Sequence, residues 1–281
     1  MRLGGVWIGL ASSLLASVAH AEPPSYRWVD PARVQVREQA AAPVLFLDRC
    51  AGGCDVVPGV DDARADTSSL LAGAATIAEF RHGDAAWDAV VACVRETYAP
   101  FAIEVTDVDP GDAPHFEAKV AGDPSDIGAT GIGGLAPFAC GVIDNAITYS
   151  FANLYGSVED LCATVAQESA HAFGLEHEMQ CDDPMTYLDA CGPKRFQDLD
   201  AHCGCFGEGE CECGGATQNS YQRLLTALGP AGQPVVESAD DCADESCDAV
   251  DDAGCSLAGG RAAGGWLVLL ALLFLRPRRP R

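Results

Sequence analysis

The sequence predicts an α/β protein in which a mixed sheet packs against helices, followed by a disulfide-rich C-terminal part. Two segments, 85–98 and 158–173, carry apolar residues at the spacing of amphipathic helices. Short runs that alternate apolar and polar residues lie between them, as expected for strands. The chain also has 14 cysteines in 281 residues, several of them crowded between positions 203 and 213. Helix, strands and helix in this order favour a layered α/β sandwich.

Each predicted element has its own local signal. The first helix places Trp87, Val90, Val91 and Val94 on one face. The second follows a Ser-x-x-Asp capping box that begins at Ser157. A Gly-rich loop should precede an edge strand near 132–138. The other predicted strands cover residues 43–50, 100–110, 115–122 and 146–152.

The N-terminus predicts export from the cytoplasm. Residues 1–21 have a basic start, an apolar stretch and an Ala-His-Ala cleavage site, which together indicate a signal peptide. Residues 22–228 are then the folded domain. Many cysteines in an exported chain predict disulfides. The formal charge of −24 argues against a nucleic-acid partner, because phosphates require Lys and Arg.

The C-terminus predicts a tether and a sorting segment. Residues 229–254 contain eight acidic residues and no basic one, so they form an extended tether. Residues 255–281 join Cys255, the apolar run WLVLLALLFL and an arginine tail. This order resembles the myxobacterial C-terminal sorting domain. The resemblance implies that the segment enters the membrane and is processed by surface sorting machinery. The protein would then be displayed at the cell surface. A plain membrane anchor is the alternative.

The stretch QESAHAFGLEH carries the residues with the clearest chemistry. Gln167 and His171 lie one helical turn apart, so both side chains can face one metal ion. Glu168 can reach a water on that ion without binding the ion itself. Gly174 lets the chain leave the helix, and His177 then supplies a further ligand. Three protein ligands with one open position describe a catalytic zinc site.

The residues that follow strengthen this interpretation. Met185 lies in an Asp-Pro-Met-Thr-Tyr turn shortly after His177. With the preceding motif, the segment 87–203 resembles the metzincins, and among them the matrixin-like zinc peptidases. The resemblance implies a zincin fold with an active-site helix, Met185 beneath the metal, Tyr187 on the substrate side, and a peptide substrate bound along the edge strand.

Gln167 departs from the family motif, which has histidine there, and leaves three alternatives. Gln167 could coordinate zinc through its amide oxygen, a weak donor for this ion. A different residue could complete the site, with His115, Asp182 and His202 as candidates. In the third alternative the metal is lost and the domain binds peptides without cleaving them.

The sequence therefore predicts a secreted, surface-displayed, zinc-dependent endopeptidase with Glu168 as base and His171 and His177 as ligands. A catalytically inactive peptide-binding homologue that has lost zinc is the alternative, and a purely structural surface protein is a third class. Calcium is a second candidate cation, either at the acidic tether or at the Gly-rich loop 128–134.

The cysteine spacings suggest local pairing. Cys50 with Cys54 is predicted as a local disulfide, and Cys181 with Cys191 could close the methionine turn. The C-x-C pairs between 203 and 213 favour crossed disulfides over a zinc knuckle in an exported protein.

Overall fold

The computed structural model describes residues 25–30, 34–40 and 43–232. The predicted signal peptide and the sorting segment lie outside the described residues, as does the tether after its first four positions. The described strands are β1 (Tyr26–Trp28), β2 (Val36–Arg37), β3 (Val44–Asp48), β4 (Cys54–Pro58), β5 (Thr67–Ser68), β6 (Ala75–Ile77), β7 (Glu104–Thr106), β8 (Phe116–Ala121), β9 (Gly134–Phe138), β10 (Val142–Ile143), β11 (Ile147–Phe151), β12 (Ala201–His202) and β13 (Thr217–Gln218). The described α-helices are α1 (Asp84–Tyr98), α2 (Val158–Ala172) and α3 (Ser220–Leu228).

A six-stranded mixed sheet organises the fold, with the strand order β1-β9-β11-β8-β3-β7. Strands β11, β8, β3 and β7 pair in parallel, whereas β9 runs antiparallel to β11. Strand β1 then pairs in parallel with β9 and places Tyr26 opposite Ala136. The prediction of an edge strand near 132–138 is therefore wrong, because β1 covers the edge of β9 at which a substrate was expected.

The sheet separates two cores. On one face, Phe116, Ala118 and Val120 of β8 pack with the apolar sides of the three helices. On the other face, β11 contributes Ile147 and Tyr149 to a smaller core beneath the separate β5-β4-β6 sheet. The alternation of side chains along a strand explains how one sheet serves both cores.

On the side of the second core lies a buried polar cluster formed by Lys119, Glu117, Asp48 and Asp66. Lys119 Nζ lies 2.8 Å from Glu117 Oε1, 3.0 Å from Asp66 Oδ1 and 3.3 Å from Asp48 Oδ2. Lys119 and Glu117 are almost completely buried. Both residues point away from the helices because they alternate with the apolar residues of β8.

The mixed α/β architecture agrees with the sequence prediction, and both predicted helices are confirmed within one residue at each end. Strand 100–110 was predicted too long, because β7 pairs only with the three residues Val44–Phe46 at the sheet edge. Helix α3 was not predicted. Two residues in the sequence mark its ends, Asn219 at the start and Gly229 immediately after the last turn. In the structure the Asn219 side chain accepts a hydrogen bond from Gln222 N.

Five disulfides cross-link the described residues: Cys50–Cys54, Cys93–Cys162, Cys140–Cys213, Cys181–Cys191 and Cys203–Cys211. Of the two C-x-C pairs, only Cys203 and Cys211 join each other. Cys213 forms its disulfide with Cys140, and Cys205 has a free thiol. This number of disulfides fits an oxidising, extracytoplasmic compartment. None of the helices in the described ranges combines the length and the apolar character of a membrane span.

Candidate functional site

Helix α2 presents the motif residues and then ends abruptly. Ser157 caps its start by accepting a hydrogen bond from Asp160 N. Gly174 follows the helix with φ 86°, in the left-handed region. A Cβ at Gly174 would lie 2.8 Å from the backbone nitrogen of Gly141. Only glycine fits this turn comfortably, and the turn carries the chain back to His177.

The two motif histidines converge. His171 Nε2 and His177 Nε2 lie 3.2 Å apart, and both side chains are buried. His171 Nδ1 donates to the Leu175 carbonyl at 2.7 Å, which turns the unprotonated Nε2 toward His177. His177 Nδ1 lies 3.0 Å from the Cys205 thiol sulfur. Burial lowers the pKa of His171 to about 3 and also lowers that of His177, so both rings are neutral at pH 7.

Glu168 lies on α2, three positions before His171, and is 1 % exposed. Neither of its carboxylate oxygens has a hydrogen-bond partner in the part of the chain that the structure describes. Burial raises its pKa well above the usual value, and the nearby Ser25 hydroxyl opposes this shift in part. A buried carboxylate without a partner is costly, so the position calls for a bound water, a substrate or a cation.

Gln167 turns toward the methionine loop. Its Nε2 donates to the Pro184 carbonyl at 2.8 Å. Met185 is fully buried, and its carbonyl accepts from Glu178 N, directly after His177. The methionine turn is therefore tied both to α2 and to the segment that carries His177.

The N-terminal strand completes the site from the opposite side. Ser25 Oγ lies 3.3 Å from His171 Nε2 and 3.2 Å from His177 Nε2. Ser25 N donates to the Tyr187 hydroxyl at 2.8 Å. The Tyr187 ring packs on His177 with centroids 4.4 Å apart, and the Tyr26 ring lies 4.7 Å from the His171 ring. Aromatic rings thus exclude water from two sides of the imidazole pair.

A cleft of about 970 Å³ opens onto this group of side chains. Ser25, Gln167 and Glu168 line it, together with Tyr187 and Phe206. The Gly-rich segment Gly131–Gly134 also contributes to the lining. A cleft of this size can accept several residues of an extended peptide.

The residues present fit a divalent cation. Two neutral imidazoles direct Nε2 atoms toward each other, and each is held through Nδ1. Among the described residues, two groups of three His, Cys, Asp or Glu side chains have ligand atoms within 4.8 Å of one another, and Glu168, His171 and His177 do not form such a group. The clusters Asp48/Cys50/Cys54 and Glu176/Cys203/Cys211 each contain a pair of cysteines that is closed as a disulfide.

The other histidines considered from the sequence contact different parts of the molecule. His115 Nδ1 bonds to the Ala113 carbonyl and His202 Nδ1 to the Ala216 carbonyl. Asp182 is exposed, and its carbonyl accepts from Arg195 N. Ser25 and Cys205, which do touch the imidazoles, were missed. No local pattern marked Ser25, because the β1–β9 pairing joins residues over 100 positions apart.

No protein-family model and no curated protein matches this chain.

Proposed function

We propose that this protein is an exported, surface-displayed, zinc-dependent endopeptidase with a metzincin-like zincin fold. The observation that carries the proposal is the 3.2 Å approach of the His171 and His177 Nε2 atoms; the unpartnered Glu168 side chain, three positions before His171 on α2, supports it. The antiparallel strand β9 next to the active-site helix, and the buried Met185 turn, support the same family.

In this mechanism His171 and His177 hold the metal ion through Nε2. When bound, zinc supplies a Lewis acid that polarises a peptide carbonyl and makes a water more acidic. Glu168 accepts the proton of the attacking water and returns it to the leaving amine.

Tyr187 has the geometry for a supporting role. Its hydroxyl accepts a hydrogen bond from Ser25 N, so the hydroxyl hydrogen remains free to be donated. Because the ring packs on His177, that hydrogen can be directed at a substrate oxygen in the same cleft. Such a donor stabilises negative charge that develops on the carbonyl oxygen during attack.

A peptide-binding homologue without zinc is the second candidate. It is favoured by Gln167, whose amide hydrogen-bonds to Pro184. In that case the cleft would bind an extended segment, and Glu168 would accept hydrogen bonds from the ligand's backbone. Zinc content separates the two functions directly, since a binding module has no requirement for the ion.

The test compares Glu168→Gln, His171→Ala and the exposed control Glu104→Gln in the exported protein, with casein hydrolysis and zinc content measured on each. Glu168→Gln should lose activity by about 100-fold or more while keeping its zinc, because the residue moves protons and is not a ligand. His171→Ala should lose both zinc and activity. Full cleavage by Glu168→Gln, or a zinc-free wild type, would refute the proposal.

A further inference from the structure

Among the described residues, Ser25 carries the one hydroxyl within hydrogen-bonding distance of both His171 and His177. Its Oγ, with His171 Nε2 and His177 Nε2, forms a triangle whose sides are 3.3, 3.2 and 3.2 Å. Zinc bonds of about 2.0–2.1 Å in tetrahedral geometry place neighbouring ligand atoms about 3.3 Å apart. The three atoms therefore have the spacing of one face of a tetrahedral zinc site.

The main chain fixes Ser25 in this place. Ser25 N donates to the Tyr187 hydroxyl, and Ser25 O accepts from Ala136 N at 2.9 Å. The next residue, Tyr26, donates its hydroxyl hydrogen to Glu212 Oε1 at 2.9 Å and packs against Phe138 at 4.6 Å. The Ser25 side chain is consequently oriented by bonds on both sides of its Cα and needs no rearrangement to meet an ion.

Among the hydrogen bonds of the described residues, Gln167 makes one to the Pro184 carbonyl and none to either histidine, whereas Ser25 Oγ contacts both. We propose that Ser25 Oγ is the third protein donor to the metal ion, in place of Gln167. The proposal rests on the metal site of the proposed function. It implies that Ser25, directly before β1, would be a permanent part of that site.

Metal affinity is the appropriate measurement, because loss of activity alone would also follow if Ser25 acted as a nucleophile. We would titrate the zinc-free exported protein with Co²⁺, follow its visible absorption, and repeat the titration for Ser25→Ala. Ser150→Ala is the matched control, since its hydroxyl is buried and has no partner. Ser25→Ala should weaken Co²⁺ binding by about 10-fold or more, and Ser150→Ala should leave it unchanged.

Ser25→Cys adds a spectroscopic readout. A thiolate at this position should bind Co²⁺ directly and add a sulfur-to-cobalt charge-transfer band that the wild type lacks. A free-thiol count on the same sample verifies that the new thiol has not paired with Cys205.

The outcomes separate the two proposals. Unchanged affinity in Ser25→Ala, together with a loss in Gln167→Ala, would overturn the role of Ser25 and leave the metallopeptidase intact. Increased activity of Ser25→Ala with unchanged affinity would overturn it as well and would identify β1 as an inhibitory segment. A wild type that fails to bind Co²⁺ or zinc would remove the metal site itself.

Discussion

Gly134 and Glu168 are in direct contact: a Cβ on Gly134 would lie 2.5 Å from Glu168 Oε1 and 2.6 Å from its Cγ. Strand β9 can approach helix α2 this closely only because position 134 has no side chain. The contact restricts the Glu168 carboxylate from the strand side, and Glu168 and Gly134 both line the cleft. The orientation of the proposed base therefore depends on a residue that takes no part in the chemistry.

The first prediction follows from this contact. Gly134→Ala should displace the Glu168 carboxylate and lower kcat by about 100-fold, since a shift of about 1 Å at a reacting group has effects of that size. Zinc content should stay unchanged, because the three atoms nearest to the added Cβ all belong to Glu168, which is not a proposed ligand. Gly73→Ala is the control: an added Cβ there meets nothing within 4 Å. Equal activity of Gly134→Ala and wild type would show that Glu168 is not held by this contact.

Cys205 supports the second prediction. Its sulfur lies 3.0 Å from His177 Nδ1 and so helps to orient the Nε2 atom that faces His171. Cys205→Ala should weaken zinc binding by about 10-fold, as expected when the partner of a ligating histidine is removed. Cys205→Ser keeps a hydrogen-bonding group and should retain more of the affinity. The measurement is competition with a chromophoric chelator. Identical affinities in all three proteins would exclude an orienting role.

The third prediction concerns pH and the buried cluster under the β5-β4-β6 sheet. Burial raises the pKa of Glu117 to about 8; Lys119 opposes the shift, whereas Asp48 and Asp66 add to it. The folded state therefore holds a proton on Glu117 that the unfolded chain releases near pH 4.5. The resulting stability is fully present below that pH, declines as pH rises, and is lost once pH passes about 8.

Glu117→Gln isolates this effect because glutamine mimics the protonated acid. Between pH 5 and 8, the free energy of unfolding of the wild type should fall relative to the variant, by at most about 1.4 kcal/mol per pH unit. Urea denaturation at a series of pH values measures the difference. Glu104→Gln, an exposed substitution on β7, should show the same dependence of unfolding free energy on pH as the wild type. A difference that does not vary with pH would mean that Glu117 is ionised throughout.

Local signals in the sequence predicted what is local in the structure. The Ser157 cap, the spacing of α2 and the glycine after it were sufficient to bring Glu168, His171 and His177 to the end of one helix. Ser25 could not be anticipated in this way, since its position depends on the register of β1 on β9. Register across a sheet is set by long-range packing, and a short strand such as β1 has little hydrophobic pattern to specify it.

The burial of the polar cluster also could not be predicted from the local sequence. Glu117 and Lys119 alternate with apolar residues in β8, a pattern that normally indicates one face exposed to solvent. Here that face is covered by the β5-β4-β6 sheet, so both side chains are buried, and Lys119 Nζ donates a hydrogen bond to Glu117 Oε1. Periodicity predicts which residues share a face, whereas the burial of that face depends on elements elsewhere in the chain.

The disulfides give the last prediction, which tests how loop length contributes to stability. Cys93–Cys162 joins α1 to α2 across 69 residues, whereas Cys50–Cys54 closes a loop of only four. Loop-closure entropy predicts a loss of about 4 kcal/mol when both residues of the first pair become Ala, and about 2 kcal/mol for the second. Each pair has one fully buried and one half-buried member, so the packing losses are comparable. Guanidinium denaturation should therefore rank Cys93→Ala/Cys162→Ala well below Cys50→Ala/Cys54→Ala in stability. Equal losses would mean that strain or residual structure in the unfolded chain outweighs the entropy of the longer loop.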